Sequence, residues 1–163
     1  MSMIGNFRRL PAAELDALLA NPEGIVAFLY KDDAAQDKEV SLDIDKAWHA
    51  IHFLLTGAAW GGTGPVANAV LGGMPIGEDD VGYGPARFIR AAGVTETSQA
   101  LQEISSQQLW SRFDANAMRN AQIYPDLEGG DEDRDYVCSH FECLKKFFAA
   151  AAANGDAMIL YLN

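Results

Sequence analysis

The sequence predicts an α+β domain, or its three-layer α/β variant, with a mixed β-sheet of about four short strands packed by helices. Three observations carry that expectation. Ile44, Ala47, Trp48, Ile51, Leu54 and Leu55 recur at helical spacing. A longer helical stripe follows later, formed by Val137, Phe141, Leu144, Phe148 and Ala151. Short β-rich runs lie at 3–10 and 158–162, each too small to be stable alone, so the later one is expected to pair with an earlier strand. With 163 residues, 49% of them apolar, the sequence reads as one domain over 1–163 that buries a core without disulfides or metals.

Taken in order, 3–10 is a strand, and Pro11 opens a helix with Glu14 and Asp16 near its positive end. Leu15, Leu18 and Leu19 form its apolar stripe, and Asn21-Pro22 stops it. A short helix is expected over 23–30, with Ile25, Phe28 and Leu29 buried, then a polar loop over 31–39. The 44–56 helix takes Ser41 or Asp43 as its cap and Gly57 as its stop. A glycine-rich loop over 58–65 leads to 67–71, read as a strand rather than a helical turn. Gly72-Gly73 turns the chain into a returning strand at 74–76. The segment 81–87 is irregular, and 88–91 is read as a strand. Helices are expected at 95–104, 107–113, 115–121 and 133–153, the last closed by Gly155. Trp48 and Phe141 are expected in the core.

Charge narrows the classes of function. Acids outnumber bases 23 to 12, a net charge of −11. The excess concentrates in Glu78-Asp79-Asp80 and between Asp126 and Asp135, where Arg134 is the opposing base. Such a surface repels phosphate backbones, which excludes nucleic acid as a partner and suits a basic protein or simple solubility. No run reaches membrane-spanning length, and residues 1–10 do not read as a signal peptide. Cys138 and Cys143 fall about 140° apart on a helix, so both are read as reduced thiols in a cytoplasmic protein.

Several motifs together carry a resemblance. They are Met3-Ile4-Gly5-Asn6-Phe7, Leu42-Asp43-Ile44-Asp45-Lys46-Ala47-Trp48-His49 and Ile51-His52-Phe53-Leu54-Leu55-Thr56. Asp80-Val81-Gly82-Tyr83-Gly84-Pro85-Ala86-Arg87, Arg112-Phe113-Asp114, Ile123-Tyr124-Pro125 and Gly155-Asp156-Ala157-Met158 complete the set. Over nearly its whole length the chain resembles the YfbM-like family of bacterial domains of unknown function. The resemblance implies a small domain with a mixed sheet packed by helices and implies no activity. Leu127 and Glu128 stand where the family often places a tryptophan.

Two places could hold chemistry. On an ideal wheel with Trp48 at zero, His52 falls at about 40°, Asp45 at about 60°, Thr56 at about 80° and His49 at about 100°. This strip suits a general-base pair or half a metal site. It equally suits a structural arrangement with His52 at the core edge, His49 on the surface and Asp45 at the positive helix end. The histidine spacing does not match His-Glu-x-x-His, and one helix offers too few ligands, so no metal is expected. The second place is 79–87. It lacks the Gly-Lys-Ser/Thr of a phosphate loop, and Pro85 removes an N–H. Tyr83 must be held by packing or by a ligand, and Arg87 is expected to pair with Asp79 or Asp80. Trp60, in the glycine loop, reads as a lid or as a ring folded onto the core. His140 is read as structural, and a Cys143–His140 nucleophile pair is disfavoured by the lack of a strained turn.

Two readings remain open. One is a non-catalytic module whose acidic face binds a basic protein, as inhibitors of toxins and nucleases do. The other is a small-ligand protein or enzyme whose site gathers Trp48, His49, His52, Tyr83, Arg87, Asp80 and Asp45. The lack of a known catalytic motif favours the first, with no cofactor.

Overall fold

The computed structural model describes residues 2–31 and 37–163. The centre of the polar loop expected over 31–39 lies outside the described residues. Strand β1 (Gly5–Leu10) is followed by α1 (Ala12–Ala20), a 3₁₀ turn (Pro22–Gly24) and α2 (Ile25–Leu29). Strand β2 (Ser41–Asp43) leads through a second 3₁₀ turn (Asp45–Ala47) into α3 (Trp48–Thr56). A third 3₁₀ turn (Pro65–Ala67) opens α4 (Asn68–Leu71), and the hairpin of β3 (Met74–Asp80) and β4 (Pro85–Ile89) comes next. Helices α5 (Ala91–Gln102), α6 (Ser106–Trp110), α7 (Ala115–Asn120) and α8 (Asp131–Ala153) precede the last strand, β5 (Ala157–Leu162).

The α+β class and the long helix followed by a strand are as expected. The sheet differs in detail. It has five strands in the order β2-β1-β5-β4-β3, and every pairing is antiparallel rather than mixed. A tight turn joins β3 to β4, which forces opposite directions on that pair. Strand β5 runs against both of its neighbours, pairing Phe7 with Leu160 on one side and Arg87 with Leu160 on the other.

Alternation along the strands splits the core in two. Phe7, Ile89, Met158 and Leu160 join α3, α5 and α8 through Trp48, Ile51, Leu101, Phe141, Leu144 and Phe148. The opposite face carries Leu10, Ile76, Ala86, Ala157 and Ile159, covered by Leu15 of α1 and by Ile25 and Leu29 of α2. Trp48 and Phe141 are fully buried, as their helical stripes predict. Trp48 Nε1 donates to the Met3 carbonyl at 3.0 Å. Gly5 is required beneath it, because a Cβ there would stand 2.6 Å from Trp48 Cβ.

Three local expectations are corrected. Residues 67–71 are helical, not a strand. Pro65 supplies a helical φ at the first position of the turn, and Ala69 and Val70 then reach the core together. Of the two caps considered for 44–56, Ser41 lies in β2, and Asp43 Oδ1 accepts the Asp45 N–H at 2.5 Å. The irregular stretch is confined to 81–84, so Arg87 belongs to β4.

Candidate functional site

The four-residue strip on the 44–56 helix does not form one constellation. Asp45 lies in the 3₁₀ turn with φ 48°, where it accepts the Tyr136 hydroxyl of α8 at 2.9 Å. Burial and this carboxylate both raise the Tyr136 pKa. Thr56 Oγ1 donates to the His52 carbonyl at 2.8 Å and accepts the Ala58 N–H at 3.1 Å, closing the helix.

His49 is buried, at 2% exposure, and not on the surface. Its Nδ1 accepts the Tyr124 N–H at 3.1 Å, which places the proton on Nε2, 3.0 Å from the Ala59 carbonyl. The ring stacks on Trp48 at 4.5 Å and meets Trp60 at 4.9 Å. Burial lowers its pKa, opposed by the bond to Ala59. His52 is fully buried, and among the described residues neither ring nitrogen has a hydrogen-bond partner. Burial pushes its pKa down to about 4; the nearby Gly61 backbone opposes the shift without forming a sound hydrogen bond, and His49 adds to it. Both rings are therefore neutral near pH 7. Among the described residues, no group of three His, Cys, Asp or Glu side chains is placed to hold a metal. His140 packs edge-on against Tyr136 at 4.8 Å.

The turn after β3 is held by Asp80. Its Oδ1 accepts the N–H groups of Gly82 at 2.7 Å and Gly84 at 3.0 Å. The Tyr83 N–H then reaches the Leu162 carbonyl at 3.0 Å, fixing the turn against β5. Gly82 makes that approach possible, since a Cβ would meet the Leu162 oxygen at 2.7 Å. The expected pair between Arg87 and Asp79 or Asp80 is absent from the ion pairs among the described residues. Asp80 is committed to the turn, and the Arg87 guanidinium is held by backbone carbonyls instead. Arg87 Nε donates to the Gly72 carbonyl at 3.1 Å and Nη2 to the Gly73 carbonyl at 2.6 Å.

These placements create one aromatic-walled cleft of about 350 Å³. It is lined by Trp60 and Gly61, by Tyr83 and Pro85 beside the turn, and by Val70, Leu71, Arg87 and the end of β5. Trp60 is 61% exposed and Tyr83 40%. Of the two readings of Trp60, the ring folds against Trp48 and His49 while remaining largely exposed. The structure brings together Tyr83 and Arg87, sets Asp80 beneath their turn, and leaves Trp48, His49 and His52 behind the Trp60–Gly61 wall. Asp45 is elsewhere. Sequence reasoning missed Val70 and Leu71 as lining residues, because a strand at 67–71 would have aimed them differently.

Two other concavities differ in character. One, of about 780 Å³, is lined by Tyr30, Lys38, Ser41, Asp43 and Tyr161 among others. Several of its polar groups already bond one another, Asn6 Nδ2 to Asn163 Oδ1 and Asn163 Nδ2 to the Tyr30 hydroxyl. The other, of about 450 Å³, is lined by Asp126, Glu128, Gly130, Asp131, Glu132 and Asp133.

Comparison with known proteins places this geometry in a family. Residues 1–161 match the family described as a domain of unknown function, DUF1877. Protein YfbM of Escherichia coli (strain K12) is 27% identical over 135 residues, covering 81% of this chain and 78% of that protein. The crystal structure of YfbM from Escherichia coli, itself described as a protein of unknown function, superposes with a TM-score of 0.76. That match is at 21% identity, over 98% of this chain and 99% of the other. The resemblance carried by the motifs from Met3 to Met158 is borne out, and the chain belongs to the DUF1877 family, a family of domains of unknown function.

Proposed function

We propose that this protein is a non-catalytic module that binds a small, flat ligand in the Trp60–Tyr83 cleft. The observation that carries this reading is the pair of exposed aromatic side chains facing one recess of about 350 Å³. That volume lies within the range of small-molecule sites. A binding role fits better than an acid–base role because both His49 nitrogens are committed to backbone partners. The cytoplasm is the compartment this reading assumes, in keeping with the free thiols of Cys138 and Cys143. No helix among the described residues is long and apolar enough to cross a membrane.

The test is a thermal-shift and NMR screen of flat aromatic fragments against the full chain. Fragments that bind are expected to perturb Gly61 and Tyr83 and to raise the Tm. Trp60→Ala, at an exposed position, is expected to remove both effects. Fragments that stabilise Trp60→Ala as well as the parent would exclude the cleft.

A second reading has its own support. Glu128 and Glu132 line the acidic concavity and lie outside every ion pair among the described residues, whereas Asp126 and Asp131 face Arg119 and Arg134. This surface suits a basic segment of a protein partner. Salt-dependent binding of an oligo-arginine peptide, weakened in Glu128→Gln/Glu132→Gln, is its signature. Binding that the double substitution leaves unchanged would remove it.

A further inference from the structure

We infer that the Trp60–Tyr83 cleft selects flat molecules bearing a carboxylate, and that Arg87 is the residue that reads it. This inference rests on the ligand-binding reading above and adds the chemical class of the ligand.

Arg9, Arg90, Arg119 and Arg134 each face an acid. Arg87 lies in no ion pair among the described residues, although acids outnumber bases 23 to 12 and Glu78-Asp79-Asp80 lie on the adjoining strand. Arg112 is likewise outside these pairs and donates to the Leu54 carbonyl. Arg87 lines the cleft, and its two protein partners are neutral carbonyls, so no ion pair among the described residues offsets its charge there.

Its geometry is fixed in advance. Two hydrogen bonds from Nε and Nη2 lock the plane of the guanidinium. Nη1 has no further partner among the described residues, which leaves its N–H groups for a ligand. The acceptors are themselves specialised. A Cβ on Gly72 would fall 2.1 Å from Asn68 Cα, and one on Gly73 would fall 2.2 Å from the Phe88 oxygen. Only glycines bring both carbonyls this close to α4 and β4. The Gly72-Gly73 pair therefore does more than turn the chain: it seats Arg87. A side chain ordered beforehand loses little entropy on binding, so its contact contributes more to affinity.

The surroundings choose the anion. Trp60, Tyr83, Val70 and Leu71 line the cleft with aromatic and apolar side chains, which suit a flat ring. The free Nη1 can donate to a carboxylate or to a phosphate, so the choice between them falls to charge. The nearby acids and the net charge of −11 penalise a doubly charged phosphate on the same ring.

The probes are naphthoate, neutral naphthamide and naphthyl phosphate, titrated into the isotope-labelled full chain and followed by NMR. Naphthoate is expected to shift Gly61, Gly73 and Tyr83 saturably, and to bind about tenfold or more tighter than naphthamide. Arg87→Met is expected to remove that preference, while Tyr83→Ala weakens both probes alike. Should Arg87→Met fail to fold, the parent's ranking of the three probes decides the matter. Equal binding of naphthoate and naphthamide would overturn the carboxylate inference and leave the cleft as a ligand site. Tighter binding of naphthyl phosphate would also overturn it. Binding of no probe at all would overturn both readings.

Discussion

His49 and His52 sit one turn apart on α3 and have opposite circumstances. His49 bridges Tyr124 and Ala59, holding two distant segments on the helix. His52 is equally buried and has no hydrogen-bond partner among the described residues. Protonating it inside the core is costly, so it binds a proton more readily unfolded, with the ordinary pKa of 6.5, than folded, at about 4. Its contribution to stability is complete above pH 6.5 and is lost as the pH falls toward 4, by on the order of 3 kcal/mol. His49 adds to this in the same direction. Urea midpoints of the parent and of His52→Phe at pH 7 and pH 4.5 measure it. The fall between the two pH values is expected to be smaller in the variant, because the carboxylates act equally on both proteins. An identical fall would mean that His52 does not titrate as its burial requires. The helical wheel placed both histidines beside the core but put His49 in solvent. What buries it comes from Ala59, Trp60 and Tyr124, and no pattern within residues 44–56 encodes those contacts.

Among the elements, the 81–84 turn shows how one carboxylate sets a wall of the cleft. Asp80 accepts from both glycines flanking Tyr83, and the turn leans on β5 through Leu162. Asp80→Ala is expected to cost on the order of 1–3 kcal/mol and to weaken naphthoate binding, whereas Asp80→Asn keeps the accepting oxygen and most of both properties. Denaturant titration and the NMR titration read the two effects. Equal behaviour of the two variants would mean that the turn is held by Leu162 alone. Elements with a long apolar period were legible: α8 begins at Asp131, close to the expected 133, and Gly57 ends α3. Short elements were not. The run Ala67-Asn68-Ala69-Val70-Leu71 has no period long enough to separate strand from helix, and its outcome is set by Pro65 before it and the core beneath it. The role of Arg87 was hidden for a similar reason. Its partners are backbone carbonyls, which carry no signature of their own in the side-chain sequence.

In the whole molecule, β5 is the strand on which the sheet depends. It separates β1 from β4, so β2-β1 and β4-β3 have no direct contact as strand pairs. The β-rich runs at 3–10 and 158–162 predicted that a late strand would lie beside an early one, and β5 does pair along the whole of β1. Strand order and direction were not legible, since they depend on contacts between segments far apart in sequence. Meanwhile Met158 and Ile159 fill opposite core clusters from the same strand. Removing residues 157–163 is expected to abolish cooperative unfolding, as followed by circular dichroism in urea; a sharp transition in the shortened chain would contradict this. The same arrangement has a consequence during synthesis. A ribosome makes β1 before the described helices and β5 after them. Until then, the early hairpin-like pieces expose open strand edges and half-covered apolar faces. A nascent or prematurely terminated chain is therefore open to chaperones and proteases until its last strand arrives, and the finished fold itself certifies that β5 was translated.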